Sequence, residues 1–156
     1  MNGLLDTIFV GTQERLEKPL DMRITLETKQ QEQLLSAARA AFKNAHAPYS
    51  NFRVGAAVLT ERGTLYHGCN VENASYGLTI CAERNAIFAA VAAEGTGMRI
   101  KAVAVATERD GPCAPCGACR QVIFEFGPDA LILFRGQSGT QQMEITELLP
   151  EGFRLL

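Results

Sequence analysis

Apolar side chains first recur at helical spacing after Thr28, and this period predicts a helix that ends before Ala47-Pro48-Tyr49-Ser50. Thr28 is the expected N-cap, because its hydroxyl can accept a hydrogen bond from the first turn. The positions that carry the period are Leu34, Leu35, Ala38, Ala41 and Phe42. Residues 1–27 lack a sustained period, so we interpret them as an N-terminal extension with a short helix, and residues 28–156 as a single domain.

Two segments rich in Val, Leu and Tyr follow this helix, at residues 52–60 and 64–71. Glu61-Arg62-Gly63 lies between them and supplies the glycine that a short hairpin loop favours. We therefore expect the two segments to be antiparallel strands.

Residues 81–93 are apolar all round and are followed by Gly95 and Gly97, which predicts a buried helix that begins at Cys81. The remaining predicted elements are a central strand at 100–107, a helix at 117–126, and strands at 131–134 and 141–145 around a turn at 136–139. The order α-β-β-α-β-α-β-β predicts an α/β fold, a three-layer α/β/α sandwich with a mixed five-stranded sheet.

Composition excludes several classes of protein. No apolar run approaches the roughly 20 residues that span a bilayer, and residues 1–10 lack the basic start of a secretory signal, so we expect a cytoplasmic protein without membrane contact. The formal net charge is −2 and Lys and Arg are scattered. A nucleic acid polymer is therefore not an expected partner, whereas a small neutral substrate is compatible with this charge.

The cysteines indicate a metal site. There are five, an odd number clustered late in the chain: Cys69, Cys81, Cys113, Cys116 and Cys119. In a reducing compartment this favours metal binding over disulfides. Cys81-Ala82-Glu83 and Pro115-Cys116-Gly117-Ala118-Cys119 offer three thiolates and one carboxylate. Because a structural zinc site uses four protein ligands and a catalytic one keeps a position open, three thiolates predict a catalytic zinc site.

The predicted helices explain how these cysteines would act together. Cys81 and Cys116 each stand at a predicted helix N-terminus, where unpaired N–H groups and the helix dipole stabilise a thiolate. Cys119 follows Cys116 at i, i+3, so both sulfurs can reach one ion. Three thiolates around Zn²⁺ leave net negative charge, and either Arg84 or Arg120 could offset it; Arg84 is favoured because it adjoins Glu83.

Glu83 is the predicted proton shuttle, and the alternative is a solvated glutamate at the start of a helix. Cys113 extends the cysteine run but lacks the fourth cysteine of an iron–sulfur signature, so we interpret it as a spare thiol. Cys69 is expected to be a small buried apolar residue. His46 and His67 lie apart from the motifs and are left out of the site.

Several further motifs make residues 30–153 similar to the small homotetrameric cytidine deaminases, a family whose zinc signature includes an all-cysteine variant. Besides the two cysteine motifs with Arg84, Arg120 and Gln121, they are Ala47-Pro48-Tyr49-Ser50, Phe52-Arg53-Val54-Gly55-Ala56-Ala57 and Gly68-Cys69-Asn70-Val71-Glu72-Asn73. The resemblance implies hydrolytic deamination of free cytidine or deoxycytidine at C4 of the base, for pyrimidine salvage.

The resemblance also implies residue roles. Cys81, Cys116 and Cys119 would bind one Zn²⁺ per subunit, and Glu83 would move protons. Substrate contacts would come from Phe52, which stacks on the pyrimidine, from Asn70 and Glu72, which bind the ribose hydroxyls from one face of a strand, and from Ala82 and Phe153.

Phe153 lies in a closing segment, residues 147–153, whose aromatic residue in this family reaches the active site of a neighbouring subunit. The resemblance thus implies a homotetramer with Phe153 acting in trans, and the alternative is simple packing of a terminal segment. The N-terminal extension, Asn85 and Cys113 depart from the family pattern. The alternative functions are deamination of another aminopyrimidine or of a nucleoside antibiotic, as in blasticidin-type deaminases, and a non-catalytic zinc-stabilised binding module.

Overall fold

The computed structural model describes residues 25–155, which contain one five-stranded sheet with strand order β2-β1-β3-β4-β5. The elements are α1 (Thr28–Phe42), β1 (Val54–Thr60), β2 (Leu65–Cys69), α2 (Ala82–Glu94), β3 (Ile100–Thr107), α3 (Gly117–Phe126), β4 (Leu131–Gly136), β5 (Gly139–Glu144) and α4 (Ile145–Leu148). A 3-10 turn, Tyr76–Leu78, precedes α2.

The sheet is mixed. Strand β1 is antiparallel to both β2 and β3, β3 is parallel to β4, and β4 is antiparallel to β5. The predicted hairpin at residues 52–71 and the predicted mixed five-stranded sheet are confirmed.

Each face of the sheet is covered by helix, because the central strands alternate apolar side chains between two cores. Ala56 and Val58 of β1 pack with Ile87 of α2, in a core that also receives Ile123 of α3. Ala57 and Leu59 lie on the opposite face with Leu34 of α1. The three-layer α/β/α sandwich is thus confirmed, with α1 on one side and the two cysteine-bearing helices on the other.

Two glycines allow helices to approach the sheet closely. A Cβ on Gly55 would lie 2.1 Å from the carbonyl oxygen of Ala38, and one on Gly68 would lie 2.5 Å from the amide nitrogen of Ala86. No side chain fits at either position. The contact at Gly68 holds the first turns of α2, and therefore Cys81 and Glu83, against β2.

The structure corrects some predicted boundaries. The N-cap of α1 is Glu27 rather than Thr28, because Glu27 is extended and its backbone N–H donates to the side chain of Gln30. Strand β1 begins at Val54 rather than at residue 52, and β2 is shorter than the predicted 64–71 at both ends. Strands β4 and β5 each reach closer to their shared turn than predicted. The four-residue α4 and the 3-10 turn were not predicted, since neither is long enough to show a period.

The prediction that the helix after Cys81 is buried on all sides is wrong. Its inner residues, such as Ala86 and Ile87, are fully buried, but Phe88 is 48% exposed and Ala89 and Ala92 are also exposed. One apolar face of α2 therefore points away from this chain's core.

Among residues 25–155, no helix has both the length and the apolar character that crossing a bilayer requires. Most of the predicted N-terminal extension, residues 1–24, lies outside the described part of the chain, so the extension and its short helix stay predictions.

Candidate active site

Two helix starts bring three cysteines together. Cys81 is the N-cap of α2, Cys116 is the N-cap of α3, and Cys119 lies in the first turn of α3. The sulfurs of Cys81 and Cys116 are 3.9 Å apart, and the three sulfurs all lie within 4.8 Å of one another. Sulfurs bound at about 2.3 Å to one tetrahedral ion would be roughly 3.8 Å apart, so the three thiols fit a zinc ion with one position left open.

Protonation of the thiols follows from this proximity. A hydrogen bond shared with Cys119 lowers the pKa of Cys81 to about 5, and the guanidinium of Arg84 contributes to this shift. The same shared hydrogen bond raises the pKa of Cys119, which is fully buried. Because metal ligands must be deprotonated, a divalent cation that binds here would displace the proton that the two thiols share.

The two arginines after the motifs have different partners. The Nη2 of Arg84 lies 3.4 Å from the sulfur of Cys81, and its Nε is buried with no hydrogen-bond partner among the described residues. Arg120 instead donates to the carbonyl oxygens of Pro115 and Leu148, at 2.8 and 2.9 Å. The cation at the sulfurs is thus Arg84, while Arg120 ties the start of α3 to α4.

Glu83 is only 4% exposed, which excludes the alternative of a solvated glutamate at a helix start. Burial raises the pKa of its carboxyl group, and the charge of Cys81 adds to the effect. A buried carboxyl group with a raised pKa beside a metal site can both accept and return a proton. Burial, followed by the charge of Glu83, also raises the pKa of Cys113 to about 11, so this thiol stays protonated.

The prediction that Asn70 and Glu72 lie on a strand is wrong, because β2 ends at Cys69. Instead the side chain of Asn70 completes the ladder beside β1: its Nδ2 donates to the carbonyl oxygen of Phe52 at 2.9 Å, and its Oδ1 accepts from the N–H of Val54 at 2.9 Å. Asn70 therefore holds the backbone on both sides of Arg53.

Glu72 binds the segment just before Phe52. Its carboxylate accepts hydrogen bonds from the backbone N–H groups of Tyr49 and Ser50, at 2.8 and 3.3 Å, and from the Ser50 hydroxyl. The hydrogen bond from that hydroxyl is the main cause of a lowered pKa for Glu72. Asn70 and Glu72 thus face the same segment, residues 49–54, although they come from a loop.

Ser50 was missed in the sequence. Its hydroxyl oxygen accepts from the N–H of Phe52 at 3.0 Å while its proton points to Glu72. A serine in a loop often accepts a hydrogen bond from the backbone N–H two residues later, and this local turn was the signal available in the sequence. A cavity of about 300 Å³ opens beside Ser50 and Glu72 and is also lined by Tyr49, Tyr76 and Thr79.

The remaining predicted residues are placed as follows. Ala82 is fully buried as the first residue of α2, so its side chain belongs to the core. Phe153 is 51% exposed, and its carbonyl oxygen accepts a hydrogen bond from Gln121 of α3 at 2.8 Å. Cys69 is half-buried rather than buried. In residues 25–155 the group able to hold a metal is the three cysteines, without His46 or His67.

A family model of the cytidine and deoxycytidylate deaminase zinc-binding region matches residues 28–135. The cytidine deaminase of Sporosarcina psychrophila is 46% identical over 125 residues, which cover 78% of this chain and 90% of that protein. The cytidine deaminase of Halalkalibacterium halodurans is 45% identical and covers 77% of this chain and 91% of its own length.

Solved structures give the same answer. The crystal structure of cytidine deaminase from Burkholderia pseudomallei matches with a TM-score of 0.71 and 50% identity, over 78% of this chain and 98% of that one. Cytidine deaminase from Mycobacterium tuberculosis matches with a TM-score of 0.70 and 39% identity, over 80% and 98% of the two chains. The chain therefore belongs to the zinc-binding cytidine and deoxycytidylate deaminase family.

Proposed function

We propose that this protein is a zinc-dependent deaminase that hydrolyses free cytidine and deoxycytidine to uridine and deoxyuridine with release of ammonia. The observation that carries the proposal is the pairing of three adjacent sulfurs with a buried carboxyl group, Glu83, only two residues from Cys81. The names of the matched relatives support the substrate class.

Cys81, Cys116 and Cys119 hold the zinc ion. When bound, zinc supplies a Lewis acid that lowers the pKa of a water molecule. Glu83 would accept one proton from the attacking water and deliver it to N3 of the ring. It would then move the second proton of that water, from the new hydroxyl group at C4, to the departing amino group, so that water and cytidine become uridine and ammonia. The raised pKa of the buried Glu83 suits a group that must both take and return protons.

Phe52 stacks on the pyrimidine, Asn70 and Glu72 bind the ribose hydroxyls, and the backbone at Ala82 lines the pocket. This assignment is supported by the contacts of Asn70 and Glu72 with residues 49–54, which bring both side chains to the segment that carries Phe52. Glu72 also borders the 300 Å³ cavity.

The test is loss of cytidine absorbance with purified, zinc-loaded protein and with Glu83→Gln, whose zinc content is measured in parallel. We expect Glu83→Gln to keep its zinc and to lose turnover by about 10²- to 10⁴-fold, the usual contribution of general acid–base catalysis. Zinc-loaded wild-type protein that converts another aminopyrimidine but neither cytidine nor deoxycytidine would contradict the substrate. A fourth protein ligand found by zinc-edge spectroscopy would support the non-catalytic module instead.

We further infer a homotetramer that works in pyrimidine salvage in the cytoplasm. The exposed apolar face of α2, with Phe88 at 48% exposure, supports association, since such a face is stabilised by a partner surface. The half-exposed Phe153 is then available to a neighbouring subunit's site. Sedimentation at micromolar concentration tests this, and a monomer that retains full activity would exclude a role for Phe153 in trans.

A further inference from the structure

Arg109 contacts the same segment before Phe52 as Glu72 does, but through carbonyl oxygens rather than N–H groups. Its Nη2 donates to two consecutive carbonyl oxygens, those of Ser50 at 3.2 Å and Asn51 at 2.8 Å. The same guanidinium lies over the ring of Phe52, with its central carbon 5.3 Å from the ring centroid. One cation therefore binds both the backbone before Phe52 and the aromatic ring itself.

The carbonyl nearest to Arg109 belongs to a residue in an unfavourable conformation. Asn51 has φ of +52°, and it is the residue other than glycine with positive φ among residues 25–155. Asparagine tolerates this left-handed region better than most residues, but the conformation still has an energetic cost that neighbouring contacts must offset. The hydrogen bond from Arg109 acts directly on this peptide and so favours the turn that presents Phe52.

The loop that carries Arg109, residues 108–116, also leads to the cysteines. At its start the N–H of Arg109 donates to the Thr107 hydroxyl at 3.4 Å. In its middle Asp110 pairs with Arg135 of β4 at 3.3 Å, and the N–H of Cys113 donates to the Arg135 carbonyl oxygen at 2.8 Å. The loop ends at Cys116. It is therefore anchored on β3 and β4, and Arg109 links it to the Phe52 segment.

We propose that Arg109 is a positioning residue that fixes the ring of Phe52 relative to the cysteine cluster and so sets the affinity for the pyrimidine. The proposal rests on the proposed function, in which Phe52 stacks on the base. Because stacking is made equally in the bound substrate and in the transition state, loss of Arg109 should raise KM and leave kcat nearly unchanged.

The first experiment reads the position of residue 52 without any substrate. The chain contains no tryptophan, so Phe52→Trp provides a single fluorescent reporter beneath Arg109. In this background Arg109→Ala should increase acrylamide quenching and lower the fluorescence anisotropy, whereas Arg39→Ala, which removes an exposed arginine of α1, should change neither. Equal quenching in all three proteins would overturn the proposal, even if the enzyme proved to act on another substrate.

The second experiment keeps Phe52 and measures steady-state kinetics with cytidine. We expect Arg109→Ala to raise KM by about 3- to 10-fold, in line with the loss of a partly exposed cation–π contact and charged hydrogen bonds. Arg109→Lys should recover part of this, since an ammonium can still contact the ring and one carbonyl oxygen. A fall in kcat at constant KM, or a KM equal to that of Arg39→Ala, would overturn the proposal. Failure of wild-type protein to convert cytidine would instead count against the proposed function.

Discussion

The guanidinium of Arg84 lies 3.4 Å from the sulfur of Cys81, one helical turn earlier in the chain. Three thiolates carry more negative charge than one Zn²⁺ can neutralise. The excess negative charge opposes ionisation of a bound water. A cation in contact with one sulfur withdraws part of that charge. We therefore propose that Arg84, the residue after Glu83, tunes the charge of the proposed metal site.

Arg84→Gln should lower kcat by about 10- to 100-fold while most of the zinc is retained, because residues that contact metal ligands usually contribute that much. Kinetics together with zinc analysis tests this. Arg39→Ala is the control, since it removes an exposed arginine from the far side of the sheet. Full activity in Arg84→Gln would show that the sulfurs do not need this cation.

Variants that lack a single thiol distinguish the cysteines that bind zinc from a nearby cysteine that does not. Cys116→Ala should lower bound zinc more than about tenfold and abolish turnover, since two thiolates hold zinc far less tightly than three. Cys113→Ala is the matched control from the same cysteine run and should keep its zinc, because Cys113 is not one of the three adjacent sulfurs. Zinc content and thermal unfolding of both variants provide the measurement, and loss of zinc from Cys113→Ala would contradict the ligand assignment.

The close contact at Gly68 predicts that a single methyl group will move α2. Gly68→Ala would place a Cβ 2.5 Å from the amide nitrogen of Ala86 and 2.8 Å from the carbonyl oxygen of Ala82. We expect a loss of about 1–3 kcal/mol in the free energy of unfolding and weaker zinc binding, because α2 carries Cys81. Gly77→Ala, where nothing lies within 4 Å of the added Cβ, should be within about 0.5 kcal/mol of wild type in denaturant unfolding.

Hydrogen bonds from Ser50 and Tyr49 hold the pKa of Glu72 below its usual range. A carboxyl group whose pKa is lowered by folding stabilises the protein above its unfolded pKa, and this contribution is lost as the pH falls through the folded value. The difference in melting temperature between wild type and Glu72→Gln should therefore be constant above roughly pH 5 and shrink below roughly pH 4. Glu61→Gln, an exposed carboxylate outside these contacts, should show a much smaller dependence. A difference that grows with acidification would contradict the role of Glu72.

Long elements with a clear period were predictable from the sequence. The strand at residues 100–107 and the helix at 117–126 have the bounds that their apolar patterns predicted. The strand is apolar and buried along most of its length, and the helix is amphipathic over several turns, so local pattern and tertiary packing agree. The end of β2 was not predictable, because the backbone N–H of Asn70 still donates to Val54 but the return hydrogen bond is accepted by the Asn70 side-chain oxygen instead of its carbonyl oxygen.

Some features of the candidate site were likewise predictable from the sequence, and others were not. Cysteine spacing within each motif and the helix starts at Cys81 and Cys116 could be read locally, because capping and the i, i+3 spacing depend on neighbouring residues. That Arg84 rather than Arg120 lies at the sulfurs depends on side-chain directions in two packed helices. Burial of Glu83 likewise required the fold.

By itself, therefore, the sequence determined the donor atoms, the two helix starts that present them and the α/β layering, since these follow from local chemistry and periodicity. Only the tertiary structure decided that sulfurs 35 residues apart lie 3.9 Å from each other, and that Glu72 and Arg109 both bind the backbone just before Phe52. Such contacts join loops distant in the chain. Their geometry depends on how α2 and α3 pack on the sheet, and no local pattern contains that information.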